Sequence, residues 1–263
     1  MGWLAWLCSP TYRRRFAANS AQAGYRFAQV RAAVGHAGRM VTELPRLWLT
    51  ETPVNALHGT AVVEQAWIKG KGILFLTPHL GCFELSVQGA AKQWSANHGP
   101  ITILYRPAKQ AWLAEMMLTA RNRGGIQAVP TTLSGVRQMI KALRKGEAVG
   151  LLPDQVPPQG QGQWAPFFGK DAYTMTLAAR LALQTGATVI LARCERLPAG
   201  RGYELFFEEL SEPLSDQLDE AVVQLNHAME HTIRQCPTQY LWGYGRYKQP
   251  RNEAPASSEG GAA

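Results

Sequence analysis

A histidine and a carboxylate stand five positions apart, with four residues between them, in the stretch Thr77-Pro78-His79-Leu80-Gly81-Cys82-Phe83-Glu84. On a continuous helix this spacing would set the two side chains roughly 140° apart. Pro78 and Gly81 instead mark a strand-to-helix turn, with His79 at the strand end and Glu84 in the first helical turn, where the two can face each other. Histidine is a suitable general base for a hydroxyl. A carboxylate on its other nitrogen fixes the tautomer and stabilises the imidazolium. A helix start close by also offers backbone N–H groups to developing negative charge. The same spacing occurs where a histidine caps a helix and a glutamate is solvated, so the pattern draws its weight from its place after a buried strand.

Two further polar groups follow short apolar runs. Arg106 stands after 101–105, and its planar fork suits a phosphate or an oxyanion. Asp154 stands after 148–152, where it can orient basic side chains, bind substrate or stabilise a turn.

The elements that must position these groups are legible as apolar runs. Residues 72–77, 101–105, 148–152, 188–193 and 203–207 read as buried strands. Helical stretches lie between them at 83–94, 111–121, 133–145, 174–185 and 218–234, after two more at 13–34 and 38–49. Such alternation predicts an α/β fold with a central, mostly parallel sheet flanked by helices and a helical N-terminal segment. Ligands of these sheets sit beyond the carboxyl ends of the strands, which places the chemistry after Leu76, Tyr105 and Leu152. His79, Arg106 and Asp154 fall there. The expected division is a helical segment over 1–70, an α/β domain over 71–249 and a disordered, low-complexity tail over 250–263.

Composition narrows the partners. A net charge of +8 attracts anions, whether nucleic acid, an acidic leaflet or phosphorylated small molecules. The basic residues are dispersed apart from Arg13, Arg14 and Arg15, and no nucleic-acid-binding motif accompanies them, so nucleic acid is not expected. Trp3 and Trp6 beside those arginines suit an interfacial membrane anchor, with each basic group gaining roughly 1 kcal/mol from anionic lipid. No apolar run is long enough to span a bilayer. Cys8, Cys82, Cys194 and Cys236 show no paired spacing, which speaks against a zinc site or a disulfide framework. No Gly-x-Ser-x-Gly is present to support a serine hydrolase.

Taken in order, several blocks resemble the lipid A biosynthesis lauroyl/myristoyl acyltransferase family, within the glycerolipid acyltransferase-like group. They are 77–84, Leu104-Tyr105-Arg106-Pro107, Arg144-Lys145-Gly146-Glu147-Ala148, Pro153-Asp154-Gln155, Ala165-Pro166-Phe167-Phe168-Gly169 and Gln239-Tyr240-Leu241-Trp242. The resemblance extends from about Trp3 to Lys248. It implies acyl transfer from an acyl carrier protein thioester to an anionic phosphorylated glycolipid, at the cytoplasmic face of the bacterial inner membrane. His79 would be the base and Glu84 its orienting partner, with Arg106, Asp154 and Arg246 contacting substrate. No metal or other cofactor is implied, and Cys82 reads as packing and not as a nucleophile.

The chain also departs from the pattern. The family usually begins with a longer hydrophobic helix, so peripheral attachment or a trimmed start is expected. Gly243-Tyr244-Gly245-Arg246-Tyr247-Lys248 lacks a histidine and an arginine common there, and Val156-Pro157-Pro158 replaces an acidic residue and a glycine. These differences leave open another glycolipid or amino-lipid acceptor, or a non-catalytic membrane-binding relative.

Overall fold

The computed structural model describes residues 1–105, 110, 122 and 124–251. Elements are numbered along these residues. Arg106, the whole of the helix expected at 111–121 and nearly all of the tail expected from 250 lie outside them.

Five strands form the parallel part of one sheet: β2 (Ile73–Leu76), β3 (Ile101–Tyr105), β4 (Ile126–Pro130), β5 (Ala148–Leu151) and β8 (Thr188–Arg196). At one edge β9 (Tyr203–Glu209) returns antiparallel to β8, and the short β1 (Ala56–His58) runs parallel to β9. The order across the sheet is β1-β9-β8-β2-β5-β3-β4. Two strands, β6 (Gly162–Phe167) and β7 (Lys170–Met175), pair as a separate hairpin. The mostly parallel sheet flanked by helices is the architecture expected from the sequence.

Its central strands are apolar on both faces because helices cover both. Leu74, Leu76, Val149, Leu151, Val189 and Leu191 face one core, with α8 (Leu133–Arg144), α9 (Leu177–Thr185) and α10 (Leu218–Gln235) packed over them. Ile73, Phe75, Ala148, Ile190 and Ala192 face the other, under α5 (Leu44–Leu49), α6 (Thr60–Ile68) and α7 (Phe83–His98). Period-two alternation along each strand divides the side chains between the two layers.

The N-terminal helices are α1 (Gly2–Cys8), α2 (Pro10–Gln22), α3 (Phe27–Val30) and α4 (Ala32–Thr42). The single helix expected at 13–34 is thus broken after Gln22. Phe16, Ala23, Val30, Ala33 and Val34 join the first core, so this segment packs against the same sheet layer. Two glycines let α1 lie close on α4: a Cβ on Gly38 would stand 2.2 Å from the Gly2 nitrogen.

Several strand assignments differ from the sequence reading. Residues 174–175 belong to β7, because Thr174 and Met175 pair with Gln163 and Gly162, and the helix begins at Leu177. β1 and β4 were not expected: β1 is three residues long, and its strand state comes from pairing with β9.

Candidate active site at the carboxyl edge of the sheet

β2 and β5 are parallel neighbours, with Leu76 opposite Leu151. Each chain therefore leaves the sheet side by side with the other, and the Thr77 N–H still donates to the Leu151 carbonyl at 3.1 Å. His79 lies three residues beyond β2 and Asp154 three residues beyond β5. That matched offset brings them together. His79 Nδ1 stands 2.7 Å from Asp154 Oδ1, and the His79 backbone N–H donates to Oδ2 at 3.0 Å. One carboxylate thus holds both the ring and the backbone of the histidine. An ionised carboxylate only accepts, so Nδ1 carries a proton, and in the neutral ring the lone pair is then on Nε2.

Asp154 is buried and His79 is partly exposed. Burial alone would raise the Asp154 carboxyl, but the charge and two hydrogen bonds of His79, and then the charge of Arg246, outweigh it. The net direction is below the ordinary aspartate value. The carboxylate therefore stays ionised against the ring.

The turn that carries His79 is fixed on both sides. Gly81 adopts φ +57°, and a Cβ there would meet the Cys194 carbonyl oxygen at 1.9 Å, so the approach to β8 requires glycine. The Cys82 N–H donates to that carbonyl at 2.8 Å. On the other side runs the segment after α10. The Gly81 N–H donates to the Gln239 carbonyl at 3.1 Å, and the Leu241 N–H donates to the His79 carbonyl at 3.2 Å. Gln239 is itself clamped, its amide pairing with both backbone groups of Arg196 at 3.0 Å. Asn19 of α2 donates to the Trp242 and Tyr244 carbonyls at 2.7 and 2.6 Å, and Tyr244 accepts from the Val156 N–H at 3.0 Å. Three segments distant in sequence are thus locked around one histidine.

The expected residues meet different fates. Glu84 sits half-buried in the first turn of α7, where a carboxylate is favoured by the helix dipole. The carboxylate at His79 Nδ1 is Asp154. Arg246 was expected to face substrate. Instead it is 2% exposed, donating to the Tyr173 carbonyl at 2.8 Å and to Thr174 Oγ1 at 2.7 Å, with its guanidinium 4.8 Å from the Phe167 ring centre. Cys82 is buried, and burial first of all pushes its thiol up to about 12, so it packs as a protonated group. The positioning role of the 239–246 segment was not read from the sequence beyond the block at Gln239–Trp242.

At the N-terminus the groups expected at a membrane divide. Trp3, Leu4 and Leu7 point outward, between 47% and 70% exposed. Trp6 turns inward, stacked on Phe27 at 4.7 Å and edge-on to Phe16 at 5.3 Å. Arg13 donates to the Trp6 and Leu7 carbonyls at 2.8 and 2.6 Å, capping the end of α1. Arg14 and Arg15 are exposed. Among the described residues, no helix is long and apolar enough to cross a membrane, and no group of three or more His, Cys, Asp and Glu side chains is placed to hold a metal ion.

Comparison with known proteins adds a family. The family described as bacterial lipid A biosynthesis acyltransferase matches residues 26–249. Over 197 residues the chain is 26% identical to the lipid A biosynthesis palmitoleoyltransferase of Escherichia coli K12, covering 73% of this chain and 61% of that protein. It is 29% identical over 188 residues to the lipid A biosynthesis lauroyltransferase of the same organism, covering 70% and 57%. A lipid A biosynthesis acyltransferase of Haemophilus influenzae is 26% identical over 190 residues, covering 70% and 56%. The match thus spans less than two thirds of the length of these relatives.

Proposed function

Because the chain belongs to the bacterial lipid A biosynthesis acyltransferase family, we propose that it moves a fatty acyl chain from an acyl carrier protein thioester to a hydroxyl of a lipid A precursor, with His79 as general base. The observation that carries this reading is the His79–Asp154 pair at the carboxyl edge of the sheet, 2.7 Å apart.

The chemistry follows from that pair. Nε2 takes the proton of the acceptor hydroxyl as its oxygen attacks the thioester carbonyl carbon. Asp154 stabilises the imidazolium and keeps the ring aimed. The tetrahedral intermediate then collapses by breaking its C–S bond, and the departing thiolate takes the proton back from His79. An ester and a free thiol result, and the base is regenerated without an acyl-enzyme. Glu84, in the first turn of α7, is the second carboxylate of the site. Arg106 is assigned to an acceptor phosphate or to the oxyanion.

The exposed Trp3, Leu4 and Leu7 with Arg14 and Arg15 support attachment to an anionic membrane surface, the cytoplasmic face of the inner membrane in this reading. A net charge of +8 suits both an acidic carrier protein and a phosphorylated acceptor. One observation favours a second reading, transfer to another glycolipid or to an amino-lipid. The guanidinium of Arg246 is engaged inside the protein, so the C-terminal segment presents fewer cations to phosphates than the family pattern would.

The test is transfer from a panel of acyl carrier protein thioesters to a tetra-acylated lipid A precursor, with His79→Ala beside the wild type. Loss of about a hundredfold or more in the variant is expected. Transfer at the wild-type rate would end the assignment of the base. Transfer only to a different lipid acceptor would select the second reading.

A further inference from the structure

Arg246 is a buried cation whose hydrogen-bond partners, among the described residues, are neutral: the Tyr173 carbonyl and the Thr174 hydroxyl. Its Nε is buried and has no hydrogen-bond partner there. The Thr174 hydroxyl is held in turn by Asn226 at 3.1 Å, so the fork is fixed in place. A full charge in the interior is costly unless an opposite charge lies within Coulomb range. Asp154, also 2% exposed, is the buried carboxylate that acts on it: burial raises the Asp154 carboxyl, His79 lowers it most and Arg246 lowers it further, while burial lowers the Arg246 guanidinium and Asp154 opposes that. Backbone ties bring the two segments together, through Tyr244 on Val156 and Leu241 on His79.

We infer that Arg246 is a positioning residue for the His79–Asp154 pair, its buried charge balancing the Asp154 carboxylate so that His79 can stand unprotonated and ready to accept a proton. This rests on the reading of His79 as general base. With neutral His79, ionised Asp154 and Arg246, the buried group carries no net charge. Without the cation, the carboxylate is unbalanced and the pair holds a proton more tightly. The base form of His79 then becomes scarce near neutral pH.

The surroundings leave few other groups to respond. Tyr240 and Tyr247 face Arg246 from its own segment, and burial raises both phenols, Tyr247 to about 12. Tyr173 and Tyr244 use their hydroxyls to accept from Gly160, Gly162 and Val156. Glu230 of α10 acts on Tyr247, Lys170 lies over the same ring, and Arg15 lies beside Gly245 with Lys248. Glu84 approaches the site on the first turn of α7.

The experiment measures kcat and KM for acyl transfer against pH in the wild type, Arg246→Met and Arg246→Lys, together with NMR titration of the His79 ring, its signal identified by loss in His79→Ala. In Arg246→Met the acid limb of the kcat profile and the ring titration should both move up by about one pH unit, with acceptor KM unchanged. Arg246→Lys restores the charge and should return both to the wild-type position even if its turnover stays a few-fold low. Equal impairment of both variants with the limb unmoved would reduce Arg246 to a structural residue. A raised acceptor KM with unmoved limb would return it to substrate contact. Should Arg246→Met fail to fold, Arg246→Gln and the lysine variant carry the same comparison. Full activity in His79→Ala would sink the base assignment itself, a different result from any produced by Arg246.

Discussion

The turn around His79 and the helix α1 solve opposite problems. At the turn, successive backbone groups are tied down: His79, Gly81 and Cys82 donate to Asp154, Gln239 and Cys194, and the His79 carbonyl accepts from Leu241. Its buried carboxylate is held below the ordinary value by His79 and Arg246 against the burial that raises it. At α1 the backbone is docked by a glycine contact and capped by Arg13, while large apolar side chains are left in solvent. Order at the turn keeps a ring nitrogen aimed, which catalysis rewards through geometry. Exposure at α1 has no such return in water and is intelligible only where something apolar covers it. Changes at the two places should therefore separate, one acting on turnover and the other on location.

The sharpest way to break this comparison is to alter the carboxylates. Asp154→Asn keeps the shape but replaces the acceptor that fixes the Nδ1–H tautomer, and a loss of about a thousandfold in kcat is expected. Glu84→Gln should cost no more than about tenfold, because Nδ1 keeps its partner. Both are read from steady-state acyl transfer by folded protein, checked by circular dichroism. A reversed order would restore Glu84 as the orienting group. Vesicle binding should be the same in both variants.

The next largest effect belongs to α1. Replacing Leu4 and Leu7 together with glutamate removes apolar area and adds charge facing anionic lipid. Partitioning onto vesicles containing anionic phospholipid should fall at least about tenfold. Raised salt should weaken the wild type as well, since Arg14 and Arg15 are screened within a Debye length. The kcat with a detergent-dispersed acceptor should stay near the wild-type value. Equal vesicle binding by the double variant would remove α1 as the contact surface.

The two regions were also unequally legible in the sequence. β2, β3, β5 and β8 are apolar on both faces, so short apolar runs revealed them, and the rule for parallel sheets placed chemistry after Leu76, Tyr105 and Leu152. His79 and Asp154 were both named on that ground. Their pairing was not, because it depends on β2 and β5 being neighbours, and strand order leaves no mark on local pattern. A carboxylate close in sequence, Glu84, was favoured over one brought close by the sheet. The burial of Arg246 was hidden for a related reason, since the groups of β7 that hold its guanidinium, the Tyr173 carbonyl and the Thr174 hydroxyl, are distant in sequence. The β6–β7 hairpin was missed since Thr174 and Met175 look like the start of the following helix until Gly162 and Gln163 pair with them. At α1 the sequence showed apolar residues beside arginines but not which way each faces. Trp6 and Arg13 turned inward because Phe16, Phe27 and the last carbonyls of α1 were there to receive them.

The smallest effect expected concerns acid stability. The Asp154 carboxyl is held below its unfolded value, so its contribution is fully present above about pH 5 and is lost as pH falls through the folded value. Urea midpoints measured from pH 6 down to pH 3 should therefore decline more steeply in the wild type than in Asp154→Asn, which starts lower and has no carboxyl to protonate there. The Leu4 and Leu7 double variant should track the wild-type slope, because α1 contributes no group with a depressed carboxyl. Parallel slopes in wild type and Asp154→Asn would mean that the buried carboxylate is no better stabilised folded than unfolded. The contrast between a charge-balanced turn and an uncovered helix would then rest on hydrogen-bond geometry alone.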